Sequence, residues 1–243
     1  MTRGAPRLEG GLLPPVAAGG TLVHVPASLR RRAWLAAELL LLFVMAPIAM
    51  HFAVHQARAP LFLALLPVLV VALLVLALDR TFSLKREVAT GFCWRTLLSI
   101  LVVFLAGTAG VAAWLQENHP HWLFEMPRNR PQVWLTILAV YPFASVATQE
   151  IVYRTFFFHR YGPLFAKRRG AAILINGVLF GFAHIVVGQP FAIVATTLTG
   201  LLFAARYAET RSIWAVVLEH TLWGVMVFTI GLGRYFFTGV ANM

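Results

Sequence analysis

The sequence predicts an all-α membrane protein, a polytopic bundle of about seven transmembrane helices. Of its 243 residues, 60% are hydrophobic, and the mean hydropathy of +0.78 is far above that of a soluble domain. The apolar residues form long blocks instead of alternating with polar ones. Charged residues make up only 12% of the chain and cluster between the blocks. Each block must be helical, because backbone groups in hydrocarbon have no water to bond.

Seven blocks approach the length of about 20 residues that a membrane-spanning helix needs. The predicted spans are residues 33–52, 59–78, 96–116, 133–158, 171–187, 191–206 and 212–230. The sixth is short, and a further apolar piece near 231–240 would raise the count to eight. Pro142 lies inside the fourth span and predicts a kink there.

Two regions of different composition are predicted. Residues 1–32 are rich in Gly, Pro and Ala and end in three arginines, which predicts a flexible, basic cytoplasmic tail. The integral membrane domain then covers residues 33–240.

The basic residues predict an orientation. With the N-terminus inside, the inner segments hold fifteen Lys and Arg residues and the outer segments hold four, which is a strong positive-inside bias. We therefore expect an integral protein of a bacterial inner membrane with a cytoplasmic N-terminus. The net charge of +11 does not indicate nucleic acid as a partner, because basic residues beside apolar spans set membrane topology. The lipid bilayer is the expected partner.

Three stretches place ionisable side chains inside predicted spans. They contain Gln149, Glu150 and Arg154 in the fourth span, His184 in the fifth, and Glu219 and His220 in the seventh. A charge at the bilayer centre costs about 2.5–3.5 kcal/mol on insertion scales, so such residues indicate a site. At a rise of about 1.5 Å per residue, Glu150, His184 and His220 lie about 15, 21 and 14 Å from the inner boundary. These three side chains therefore share a layer about 7 Å thick.

The order and spacing of these residues resemble the three motifs of the CPBP intramembrane proteases, which include the type II CAAX prenyl proteases. The motifs Glu-Glu-x-x-x-Arg, Phe-x-x-x-His and His-x-x-x-Asn correspond to Gln149-Glu150-x-x-x-Arg154, Phe180-x-x-x-His184 and the segment that begins at His220. The resemblance covers about residues 133–230, the predicted protease-like core.

Two positions depart from the family motifs. Gln149 stands where the family has the first Glu of its doublet, and Gly224 stands where it has the Asn. A glutamine cannot act as a base. The loss of one oxyanion donor costs about 10²–10³ in turnover in other enzymes.

The resemblance implies a glutamic-type intramembrane endopeptidase that acts on a membrane-tethered peptide or protein. In the family, the Glu doublet and the first His activate a water, and the last His and Asn stabilise the oxyanion. Carried over to this chain, Glu150 is the expected base with His184 beside it, and Arg154 keeps Glu150 ionised and oriented. His220 is expected to stabilise the oxyanion.

Three further side chains are expected to orient water or substrate. Gln149 would hydrogen-bond a water or Glu150. Glu219 would fix the tautomer of His220, its neighbour in the sequence. Asn176, one helical turn before Phe180, would substitute for the missing Asn of the last motif.

Alternative functions remain open at this level. Gln149 and Gly224 favour a catalytically inactive, protease-like scaffold that binds a peptide partner. We expect no cofactor, although Glu150, His184 and His220 are also a donor set that suits zinc. The H-E-x-x-H spacing of many zinc proteases is missing. A proton-coupled transporter would show repeated broken helices, and the two halves of the sequence show no repeat.

Overall fold

The computed structural model describes residues 28–57, 61–166 and 168–236, with no account of the side chains of residues 61–64. The predicted tail at 1–32 lies almost wholly outside these ranges, as does the end of the predicted membrane domain. In the described part every regular element is helical, so the predicted all-α class is confirmed there. Its ten helices are α1 (Leu29–His55), α2 (Leu61–Leu78), α3 (Leu84–Ala89), α4 (Trp94–Asn118), α5 (Glu125–Asn129), α6 (Pro131–Arg160), α7 (Gly162–Phe165), α8 (Arg169–Val187), α9 (Pro190–Thr210) and α10 (Ile213–Ile230).

Six of the described helices are long and apolar enough to cross a membrane, which makes this an integral membrane protein. They are α1, α4, α6, α8, α9 and α10. Helix α2 contains a shorter apolar stretch, Leu65–Leu78. The short sixth span predicted from the sequence is wrong, because α9 has 21 residues and ends at Thr210. The helix can continue because the charge of Arg206 is paired inside the bundle with Glu219 of α10.

Helix α6 is interrupted by two wider, π-helical turns at Pro142–Ala147 and Ile151–Phe156. The predicted irregularity at Pro142 thus takes the form of a π-helical turn, since proline cannot donate a backbone hydrogen bond. Such turns are frequent at functional sites. Tyr141 and Glu150 are nine residues apart and would face opposite sides of a regular helix, at about 100° per residue. The extra residue in the first π turn brings their directions to within about 80°.

An aromatic cluster joins α1 to α6. The ring of Phe43 lies 5.1 Å from that of Tyr153 and 5.6 Å from that of Phe157, both edge-on, a favourable arrangement for aromatic pairs. At the end of α6, Arg160 donates two hydrogen bonds, of 2.9 and 2.8 Å, to the carboxylate of Glu38 in α1. The N-terminal helix is therefore attached to α6 at two levels.

Helices α8 and α9 form a tightly packed antiparallel pair. A Cβ atom added at Gly177 would lie 2.8 Å from the backbone nitrogen of Leu201, and one at Gly181 would lie 2.8 Å from the Cα of Thr197. Glycine is needed at both positions because the two backbones approach so closely, as is typical of membrane helix pairs. This packing fixes the end of α8, which carries His184, against the bundle.

Candidate functional site

Glu150 lies at the centre of a closed ionic group. The side chains of Glu150 and Arg154 are both fully buried. One carboxylate oxygen, Oε1, accepts a hydrogen bond of 2.8 Å from Nδ1 of His220. The other, Oε2, lies 3.2 Å from Nε of Arg154, but the N–H is not directed at it. The attraction between these two groups is therefore mainly electrostatic, and both oxygens face protein.

Arg154 donates one hydrogen bond from each of its terminal nitrogens, one to α8 and one to α9. It donates to Oδ1 of Asn176 at 2.8 Å and to the carbonyl of Gly200 at 3.5 Å. Its guanidinium also lies 4.8 Å from the ring centre of Phe180, within range of a cation–π interaction. A buried arginine is tolerated only with such compensation.

Asn176 was expected to substitute for the missing Asn of the last motif, but both ends of its side chain bond other parts of the protein. Its amide oxygen accepts from Arg154, and its amide nitrogen donates to the carbonyl of Tyr153 at 2.6 Å. The side chain is fully buried. Because its amide bonds Arg154 and α6 and does not line the cavity, Asn176 positions Arg154 and does not face a bound substrate.

Glu219 does not contact His220, contrary to the sequence-based expectation. Its two carboxylate oxygens accept from Arg206 at 3.0 and 3.2 Å, and Arg206 also donates to Oγ of Ser99 at 3.2 Å. Consecutive side chains on a helix point about 100° apart, so Glu219 and His220 face different neighbours. The carboxylate that fixes the tautomer of His220 is that of Glu150.

His184 lines a cavity of about 90 Å³ at the junction of α1, α2, α6 and α8. This volume has room for a few water molecules. The lining side chains are mostly apolar, and none of those that the structure describes is acidic. They are Leu42, Pro47, Met50, Leu65, Val68, Ser145, Thr148, Gln149, Val152, Tyr153, Ala183, His184, Val186 and Val187.

The cavity presents two polar groups with unused hydrogen-bonding capacity. Nδ1 of His184 donates to the carbonyl of Phe180 at 2.8 Å, so Nε2 of the neutral ring is left as an acceptor. Gln149 donates from Nε2 to Oγ of Ser145 at 2.8 Å. Its buried Oε1 has no partner within the described residues.

The structure thus divides the predicted site residues into two groups. Glu150, Arg154 and His220 form the ionic group, whereas Gln149 and His184 line the cavity. The groups meet at the ring of Phe180, which lies 5.0 Å from the His184 ring and 5.6 Å from the His220 ring. Gln149 faces the cavity and Glu150 does not, because consecutive side chains on a helix point about 100° apart.

Four residues of this region were missed by the sequence analysis. Tyr141 lies with its hydroxyl 3.3 Å from Nε2 of His220, and Ser145 holds Gln149. His51 and His55 bond the carbonyls of Ile185 and Val186 at 2.9 Å, and so hold the turn that carries His184. The available signals were spacings of four residues, from Ser145 to Gln149 and from His51 to His55, which put each pair on one helix face.

The zinc alternative needs Glu150, His184 and His220 to converge on one point. Zinc is bound at about 2.0–2.2 Å by nitrogen and carboxylate ligands. Within residues 28–57, 61–166 and 168–236, no three His, Cys, Asp or Glu side chains are placed to hold a metal ion together. Glu150 accepts a hydrogen bond from His220 in the ionic group, whereas His184 lies apart from them on the cavity, so the described geometry does not bring this donor set to one point.

The fold and this region define a class of protein: a polytopic helical membrane protein with a buried ionic group beside an apolar cavity. Residues 130–226 match the family model described as "Type II CAAX prenyl endopeptidase Rce1-like". Over these residues the match confirms the resemblance to the CPBP family that the motifs predicted. No curated protein and no solved structure gave a match.

Proposed function

We propose that this protein is an intramembrane endopeptidase that binds a membrane-tethered peptide at the His184 cavity and hydrolyses one of its peptide bonds. The observation that supports this most directly is that His184, whose Nε2 is left as an acceptor, lines a cavity that Gln149 also lines. A water bound between them would give one hydrogen to Nε2 of His184 and the other to Oε1 of Gln149. The match to the family model suggests the reaction class, type II CAAX prenyl endopeptidase, and hence a prenylated tail as the substrate class.

In the proposed reaction His184 is the general base. The water oxygen attacks the peptide carbonyl carbon while one of its protons passes to Nε2 of His184. The ring then gives that proton to the nitrogen of the leaving amine as the C–N bond breaks, a relay that contributes typically 10²–10⁴-fold. Gln149 orients the water but takes no proton.

Glu150 has a supporting role in this proposal, not the role of base implied by the family motif. One of its oxygens accepts from His220, the other lies beside the Arg154 guanidinium, and the side chain is fully buried and does not line the cavity. A base must come within hydrogen-bond reach of the proton it removes. The ionic group instead positions His220 and, through Arg154, Phe180.

The test uses the purified full chain in proteoliposomes and a quenched fluorescent peptide with a prenylated C-terminal cysteine tail. We expect His184→Ala to lower the cleavage rate about 10²–10⁴-fold. His121→Ala is the matched control, because His121 is an exposed residue of the loop after α4, and it should cleave at the wild-type rate. Undiminished cleavage by His184→Ala would overturn the assignment of the base.

A second candidate function is a non-catalytic scaffold that binds the same peptide without cutting it. The absence of an acidic side chain among the described residues of the cavity lining favours it. In that case the wild-type protein should crosslink to a photoreactive prenylated peptide but leave it intact. Gln149→Glu, which restores the family's Glu doublet, should then produce cleavage. Cleavage by the wild-type protein would exclude the scaffold.

A further inference from the structure

We propose that Tyr141 replaces the side chain that this chain lacks at position 224 and acts as a positioning residue for His220. This inference rests on the proposed function for its catalytic consequence, but its structural part can be tested separately. Tyr141 lies at the end of the first α-helical segment of α6, immediately before Pro142. It belongs to none of the three motifs.

The ring of Tyr141 fills the space beside Gly224. A Cβ atom built on Gly224 would lie 2.6 Å from Cζ of Tyr141, with Cε1 and the hydroxyl oxygen of the same residue closer still. Real Cβ atoms essentially never approach a heavy atom so closely, and a rigid ring cannot be displaced as cheaply as a flexible chain end. Position 224 can therefore carry no side chain while Tyr141 is present. Conversely, the absence of a side chain at Gly224 makes room for the tyrosine.

The hydroxyl of Tyr141 reaches the nitrogen of His220 that Glu150 leaves free. Because Nδ1 of His220 donates to the Glu150 carboxylate, Nε2 of the neutral ring is an acceptor. The Tyr141 hydroxyl lies 3.3 Å from this nitrogen and can donate a long hydrogen bond to it. His220 also stacks on Phe203, with ring centres 4.8 Å apart and an interplanar angle of 24°. Carboxylate, phenol and aromatic face together fix its position and tautomer.

The geometry of α6 makes this arrangement possible. Glu150 and Tyr141 hold opposite nitrogens of one imidazole although both come from the same helix. The π-helical turn Pro142–Ala147 lies between them and turns both side chains toward α10. The family motif would place a hydrogen-bonding side chain one turn along α10 from His220. Here the phenol supplies a hydroxyl to the same histidine from α6.

The catalytic arm compares variants in the cleavage assay with the prenylated peptide. Tyr141→Phe keeps the ring and removes only the hydroxyl. The loss would loosen His220, which packs on Phe180 and through it on the His184 ring. We therefore expect kcat to fall up to about tenfold, as for one lost hydrogen bond, with KM unchanged. Gly224→Asn alone should lose most activity, because its side chain overlaps the Tyr141 ring. Combining Gly224→Asn with Tyr141→Ala should recover kcat above that of either single variant. A wild-type kcat for Tyr141→Phe, or a double variant no better than Gly224→Asn alone, would overturn the catalytic part.

The structural arm needs no activity and uses ¹⁵N-histidine NMR of the full chain in micelles, with His220→Asn for assignment. The wild-type spectrum should show His220 as the Nδ1–H tautomer with a hydrogen-bonded Nε2. Tyr141→Phe should shift the Nε2 signal toward that of a free acceptor, while the signals of His184 stay in place. An unchanged Nε2 signal would refute the contact. If the wild-type protein cleaves nothing but the signal shifts, the proposed function fails and the positioning of His220 stands.

Discussion

Replacing Glu150 by glutamine distinguishes a structural carboxylate from a catalytic one. The substitution keeps the size of the side chain and an oxygen that can accept from His220. It removes the negative charge beside Arg154, whose guanidinium is fully buried. The remaining partners of Arg154 in the described structure are all neutral: Asn176, Gly200 and the rings of Phe180 and Phe203.

The expected loss of stability is large. Removing one partner of a buried ion pair costs about 3–5 kcal/mol, because it leaves an uncompensated charge. At about 1.4 kcal/mol per factor of ten, this is a change of two to more than three decades in the unfolding equilibrium constant. The exposed pair of Glu125 and Arg234 provides the control, since its side chains are 44% and 35% exposed. Glu125→Gln should cost less than about 1 kcal/mol.

Equilibrium unfolding in mixed micelles, followed by the fluorescence of the seven tryptophans, measures both losses. A third variant combines Glu150→Gln with Arg154→Met and so removes both charges. It should regain much of the lost stability, because an apolar replacement of a buried ion pair is often neutral or stabilising. The assignment of Glu150 to a structural role is refuted if Glu150→Gln unfolds like the wild type yet no longer cleaves peptide. That result would make Glu150 the proton acceptor, as the family motif implies.

Two further predictions concern packing and pH. Gly181→Ala should destabilise the protein by about 1–3 kcal/mol through overpacking against Thr197. Gly110→Ala, where a Cβ meets nothing within 4 Å, should stabilise it by about 0.5–1 kcal/mol; equal effects would contradict the close packing of α8 on α9. Although partial burial raises the pKa of Asp79, hydrogen bonds from Thr81 and His159 hold that pKa below its ordinary value. The hydrogen bonds of ionised Asp79 therefore stabilise the folded protein fully above the ordinary pKa of aspartate, about 3.9. This stabilisation is lost as pH falls through the pKa of Asp79 in the folded protein. The free energy of unfolding should fall between pH 6 and pH 3, and Asp79→Asn should reduce that fall by less than about 1 kcal/mol. An unaltered pH profile would count against the hydrogen bonds of Asp79 to Thr81 and His159.

The helical spans were predictable because hydrophobic blocks of this length have one stable conformation in lipid. The directions of the side chains on α6 were not predictable. Each π-helical turn adds one residue and rotates all later side chains by about 100°. The hydrophobic pattern of a regular helix does not reveal this added residue. Gln149 and Glu150 lie between two such turns. The depth of Glu150 followed from counting residues, but the side of the helix that it faces did not.

The partners of the charged residues were equally hard to predict. Arg206 counts as a residue of an inner loop in the sequence, and its pairing with Glu219 depends on the continuation of α9 for four residues beyond the predicted span. The sequence assigns Glu219 to His220 only because the two residues are adjacent. The pair of Glu150 and Arg154 was expected from their spacing, but only the packing of α9 on α10 shows that Glu219 also has an arginine of its own.

These pairings narrow the chemistry that the site can perform. Glu150 and Glu219 are neutralised by Arg154 and Arg206 at distances of 3.0–3.2 Å, so neither is free to exchange a proton with a bound water. The hydrogen-bonding capacity left over at the cavity belongs to His184 and Gln149, and these are neutral groups. Under the proposed function the proton therefore moves through one imidazole, and we expect the rate to depend on how firmly the last turn of α8 holds that ring.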